Sequence, residues 1–157
     1  MRECFMSSGA DGLVEVAFAE GTFTKCSFLG DGTPVGARGK GAQLRFDDCG
    51  FSGFNSVGVS LGTKSMLVLR RTSFSGNGTA VLAMDGSETF LDGCTLSGNT
   101  TGIDLHRSRA GQPGGKATAY QSTFTTNALD KRVDEWSTWT DGTGPMPEPV
   151  SSGARND

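Results

Sequence analysis

Six short words recur along the chain: Cys4-Phe5-Met6, Cys26-Ser27-Phe28, Cys49-Gly50-Phe51, Thr72-Ser73-Phe74, Cys94-Thr95-Leu96 and Ser122-Thr123-Phe124, at intervals of 22, 23, 23, 22 and 28 residues. A repeat of this size cannot bury its own apolar face, so the chain must stack coils into a solenoid. A globule with one central core is excluded.

Taking the Cys, Thr or Ser that opens each word as position zero, apolar residues stand five and three places before it and two after, as with Leu44, Phe46 and Phe51 around Cys49. Such alternation marks strands with one buried face. Five or six places after the zero position comes Asp31, Asn55, Asn77, Asn99 or Asn127, residues that accept left-handed backbone and bond to their own turn. A third short strand follows: Gly58-Val59-Ser60-Leu61, Ala80-Val81-Leu82-Ala83, Gly102-Ile103-Asp104-Leu105. Three strands and three corners make a triangular coil. In the first coil, Val14, Val16 and Phe18 give a cleaner apolar face than a register led by Leu13, which would bury Glu15.

Words such as Phe74-Ser75-Gly76-Asn77, Leu96-Ser97-Gly98-Asn99 and Phe124-Thr125-Thr126-Asn127 resemble repeats of the right-handed parallel β-helix superfamily, the pectate-lyase-like fold. The resemblance implies an all-β solenoid of about five to six coils with three short strands per coil. It also implies inward Phe and Cys columns, and an asparagine ladder at one corner. Residues 3–129 are assigned to the β-helix and 130–157 to a capping segment and a Gly/Pro/Ser-rich tail. Leu69-x-x-Thr72-x-Phe74-x-x-Asn77 also fits a leucine-rich frame, but the segments after each Asn alternate as strands and lack a convex leucine pattern. These repeats serve lyases, glycosidases, adhesins, tail spikes and non-catalytic scaffolds, so they specify a fold and leave activity open.

The four cysteines share one slot with Thr72 and Ser122, which favours a column of small inward side chains over a disulfide framework. Stacked strands lie about 4.8 Å apart, however, near enough for a Cys4–Cys26 or Cys26–Cys49 bond. No Cys-x2-Cys knuckle is present and His106 has no spacing partner, so no metal or cofactor motif is read. The net charge of −3 supplies no basic field for nucleic acid. No apolar run reaches a membrane span, and Met1-Arg2-Glu3-Cys4 opens no secretion signal, which suits an intracellular chain or a processed product.

Asp47 and Asp48 invite a hydrolase reading, since paired acids cleave glycosidic bonds. Stacking instead sets Asp47 beside Arg70 and Asp92, and Asp48 beside Lys25 and Arg71, an ion-pair ladder that fixes coil register. In pectate-lyase-like enzymes substrate lies along one outer strand face; the matching positions here are Thr22, Arg45, Val68, Phe90 and Thr118, with no carboxylate among them. The resemblance therefore carries no catalytic set onto this chain.

Four features remain for function. The long 28-residue interval holds a basic loop with His106, Arg107, Arg109 and Lys116, and Arg38 and Lys40 occupy the comparable corner of the second coil, which suits either an anionic partner or a solvated loop. Val68 and Phe90 lie outward on adjacent coils near Met66, Leu82 and Met84, either an apolar interface strip or isolated exposed residues. The first coil has no cap before Glu3, and open solenoid ends expose core and strand edges. Trp136 and Trp139 are the expected lid at the other end, with 140–157 an extended or disordered tail. Trp136-Ser-Thr-Trp139 fits a mannosylation pattern, and Asn77 and Asn99 sit in glycosylation sequons, although an inward ladder argues against their modification. The expectation is a non-catalytic structural or interaction subunit of a larger assembly, with a protein partner that covers the first coil. The alternatives are a carbohydrate-binding or polysaccharide-degrading β-helix acting on acidic polysaccharide, and a fragment of an adhesin or tail-spike-like fibre.

Overall fold

The computed structural model describes residues 1–7 and 11–148. It is a parallel solenoid of six coils with three strands each. The first sheet stacks β1 (Phe5–Ser7), β4 (Ser27–Leu29), β7 (Gly50–Ser52), β10 (Ser73–Ser75), β13 (Thr95–Ser97) and β16 (Thr123–Thr125). The second stacks β2 (Val14–Ala17), β5 (Val35–Lys40), β8 (Val57–Leu61), β11 (Thr79–Met84), β14 (Thr101–His106) and β17 (Leu129–Val133). The third stacks β3 (Glu20–Thr24), β6 (Gln43–Asp47), β9 (Met66–Arg70), β12 (Glu88–Asp92), β15 (Lys116–Tyr120) and β18 (Thr138–Asp141). The second and third sheets run on through β17 and β18, so coil geometry passes the expected boundary at residue 129.

The inward columns follow the repeat. Phe28, Phe51 and Phe74 stack face to face, with ring centroids 4.5 and 4.9 Å apart, and Phe23 and Phe46 stack at 4.9 Å. Each fully buried ring contributes about 1.5–3 kcal/mol, so these columns supply much of the drive for stacking.

The zero-position column is also a hydrogen-bond ladder. The backbone N–H of Cys49 donates to Thr72 Oγ1 at 3.4 Å, and that of Cys94 donates to Ser122 Oγ at 3.0 Å. Thr72 Oγ1 then donates to the Phe46 carbonyl at 3.1 Å, and the Cys94 thiol to the Leu69 carbonyl at 3.4 Å. Cys, Thr and Ser are interchangeable here because each both accepts and donates.

At the other corner Asn77, Asn99 and Asn127 form the expected ladder. The amide of Asn77 donates to Asn99 Oδ1 at 3.0 Å, and that of Asn99 to Asn127 Oδ1 at 2.9 Å. Asn55 is exposed instead, and the buried Phe54 takes the ladder position, its N–H donating to Asn77 Oδ1. Two further expectations are corrected. Cys4 and Cys26 are joined by a disulfide across the first two coils, while Cys49 and Cys94 are free and buried. Val14 and Val16 do pack against the core, but Phe18 takes a φ of 53° and turns outward.

Asn99→Ala would strand the buried N–H of Asn77 and the Phe74 carbonyl that the Asn99 amide satisfies. A loss of about 2–4 kcal/mol in chemical unfolding is expected, larger than for the half-exposed Asn127→Ala.

Candidate functional site

The third sheet's outer face is built as the register requires: Thr22, Arg45, Val68, Phe90, Thr118 and Thr140 are successive cross-strand neighbours. It is not an open apolar strip. Val68 is only 8% exposed and Phe90 is half-buried. The residues after β18 fold back along this face. Gly142 donates its N–H to the Ala119 carbonyl at 2.8 Å and lies so close on the Tyr120 ring that a β-carbon there would fall 2.3 Å from it. Met146 is buried, and Glu148 reaches Arg70 at 2.6 Å and Arg45 at 3.6 Å. The segment expected to be an extended tail is, as far as Glu148, a strap; residues 149–157 lie outside the described part.

The strap rearranges the expected charge ladder. Arg71 forks onto Asp48 at 2.6 and 3.0 Å, as the stack implies. Asp47 and Arg70 are cross-strand neighbours but do not pair: Arg45 takes Asp47 at 2.7 Å, and Arg70 turns to Glu148. Lys25 lies 4.0 Å from Glu3. The hydrogen bond from Arg71 holds Asp48 below the ordinary carboxylate range, which leaves it a poor proton acceptor. Burial pushes the Cys94 thiol up to about 11 and raises that of Cys49, so neither is a nucleophile at neutral pH. Among the described residues, no group of three or more His, Cys, Asp or Glu is placed to hold a metal ion.

The basic loop does not act as one patch. The Arg107 guanidinium lies 3.8 Å over the Trp136 ring, and the Arg107 N–H donates to Asp134. His106 Nδ1 stands 3.1 Å from Asp104 Oδ1, and Arg132 reaches the other oxygen of Asp104 at 3.3 Å. Lys116 pairs with Glu88 at 3.8 Å. Only Arg109 turns toward Arg38 and Lys40, and the three share a trough on the outer face of the second sheet. Asp85 fixes Arg109's side of that trough: it accepts the Ser108 N–H at 2.8 Å and the Ser108 hydroxyl. Burial draws the Asp85 carboxyl upward, but Ser108 and Arg109 together hold it below its usual value.

The two ends differ. At the last coil, register puts Lys131 over Ile103 and Asp141 beside Ala119, both inward positions. Lys131 stands 4.4 Å from the centre of the Trp139 ring, which packs edge-on against Phe124 at 5.6 Å. Trp139 therefore covers the core, whereas Trp136 is 51% exposed. At the first coil Phe5 and Phe18 are 68% and 79% exposed. Sequence reading missed Glu148, Asp85 and Lys131. Of these only Lys131 carried a signal, a charge two places beyond Leu129 where Ile103 and Val81 stand in earlier coils.

The family described as the right-handed beta helix region matches residues 11–131. No curated protein and no solved structure matches the chain.

Glu148 is shifted down by its hydrogen bond from Arg70, with the charges of Arg70 and Arg45 adding and slight burial opposing. Its attachment is thus complete above the ordinary glutamate value of about 4.3, and is lost as pH falls through the lowered one. The Met146 methyl resonance should keep a buried shift from pH 7 to about 5 and move to a solvent-exposed one at more acid pH. Glu148→Lys should show the exposed shift already at neutral pH.

Proposed function

We propose, from the premise that the chain belongs to the right-handed beta helix family, that it is a non-catalytic interaction subunit that docks through the end formed by its first coil. The observation that carries this reading is the asymmetry of the ends. The last coil blunts its own stack with Lys131 and Asp141 at inward positions, a device that prevents strand-edge association. The first coil fills its inward positions with Met6, Val14 and Val16 and turns Phe5 and Phe18 to solvent. Exposed aromatic side chains of this size beside the outer edges of β1 and β2, which no described residue pairs, suit a protein interface.

In sedimentation at micromolar concentrations the isolated chain should associate reversibly, and Phe5→Ser with Phe18→Ser should return it to a monomer. A monomer at every concentration would sink the reading. Lys131→Leu should make the second end adhesive as well, and since head-to-tail contacts do not close, it should shift the chain to long heterogeneous polymers.

A carbohydrate-binding role is the second reading, favoured by the ≈ 160 Å³ depression where Thr22, Arg45 and Val68 meet Glu148. Binding of polygalacturonate that strengthens in Glu148→Lys and disappears in Arg45→Ala would promote it.

A further inference from the structure

The trough on the second sheet is a built feature. Its volume is ≈ 320 Å³ and its floor is the small row Ser60, Gly62 and Thr63. One wall is Arg38 and Lys40, which alternate with Gly39 on β5 and so both point outward. The other is Met84 and Asp85 at the end of β11, with Ser108 and Arg109 of the long loop. Strands β5 and β11 flank β8, so the walls stand two strand spacings apart, about 10 Å. That width admits one extended chain.

Its charges are available. Arg38 and Lys40 are exposed, and neither forms an ion pair with another described residue. Asp85 is consumed by Ser108 and by the neighbouring Arg109. Glu15, the neighbour of Arg38 on β2, is the remaining acid at one end.

The chain itself shows what an outer face of this kind accepts. On the adjacent sheet an extended Gly/Pro-containing segment lies across the coils, and its glutamate is gripped by arginines of two successive coils, Arg45 and Arg70. The trough also sets cations from two coils toward one groove, Arg38 and Lys40 from the second and Arg109 from the loop of the fifth, and Arg38 and Lys40 hold no acid of the described chain in an ion pair. We propose that this trough docks an extended acidic peptide segment of the partner protein, with Arg38, Lys40 and Arg109 taking its carboxylates. The inference rests on the reading of the chain as an interaction subunit and assigns one partner contact to the outer face of the second sheet, which runs up to Glu15 of the first coil.

The test uses the full chain and a labelled peptide of alternating glycine and glutamate. Saturable binding is expected that weakens as salt rises, and that falls at least about tenfold in Arg38→Ala and in Arg109→Ala. Lys116→Ala, which removes a cation outside the trough, should leave it unchanged. Asp85→Asn separates a shaped site from general attraction. It removes a negative charge, yet it should weaken binding because the Ser108–Arg109 wall loses its anchor. The proposal is overturned if the peptide does not bind, if Asp85→Asn binds more tightly, or if a sulfated oligosaccharide occupies the trough in place of the peptide. Because the sedimentation readout depends on Phe5 and Phe18, failure of the trough and failure of end docking give different results.

Discussion

Each coil enters its first strand through a left-handed step. The residues just before the zero position, Glu3, Lys25, Asp48, Arg71, Gly93 and Gln121, have φ between 45° and 61°. For a residue with a side chain that conformation costs about 1–2 kcal/mol. It is offset by bonds that only a neighbouring coil provides: Lys25 N–H to the Asp47 carbonyl, Asp48 to Arg70 and Arg71 to Asp92, each at 2.9 Å, followed by the side-chain bond at the zero position itself. Two or three bonds of about 0.5–1.5 kcal/mol balance the step. A corner is therefore stable only within a stack, which makes the Cys, Thr or Ser column the condition on which the sheets and the aromatic columns depend.

That dependence explains what was legible in the sequence. The corner chemistry is local and repeated, so the words around Cys26, Cys49, Thr72 and Cys94 carried strand positions, inward columns and the Arg71–Asp48 pair. The Asn corner was legible where Gly76 and Gly98 keep it five residues after the zero position. It failed in the third coil, where Asn55 falls one residue later and the bulkier Phe54 takes the buried place. Phe18 failed for a related reason: alternation along β2 gave it an inward slot, but the chain had already turned at that residue. The Cys4–Cys26 bond lay within reach by strand spacing, but the slot shared with Thr72 and Ser122 favoured free thiols.

The site was less readable because it depends on contacts outside the repeat. Arg70 and Glu148 are separated by 78 residues, and nothing in a 22-residue pattern announces their meeting. The basic loop could be read either as an anion site or as a solvated loop because a sequence shows charges without their partners. Folding removes Arg107 onto Trp136, His106 onto Asp104 and Lys116 onto Glu88, and only Arg109 joins the cations of β5. Asp85, an unremarked turn residue in the sequence, decides that outcome by holding Ser108.

A stack whose coils touch only their nearest neighbours behaves as a one-dimensional lattice and can fray inward from either end. The strap breaks that rule. It leaves the sixth coil, crosses the fifth at Tyr120 and grips the third and second at Arg70 and Arg45. Opening the last coil therefore also bears on contacts three and four coils distant, so the two ends of the stack are linked by something other than the chain of neighbouring coils.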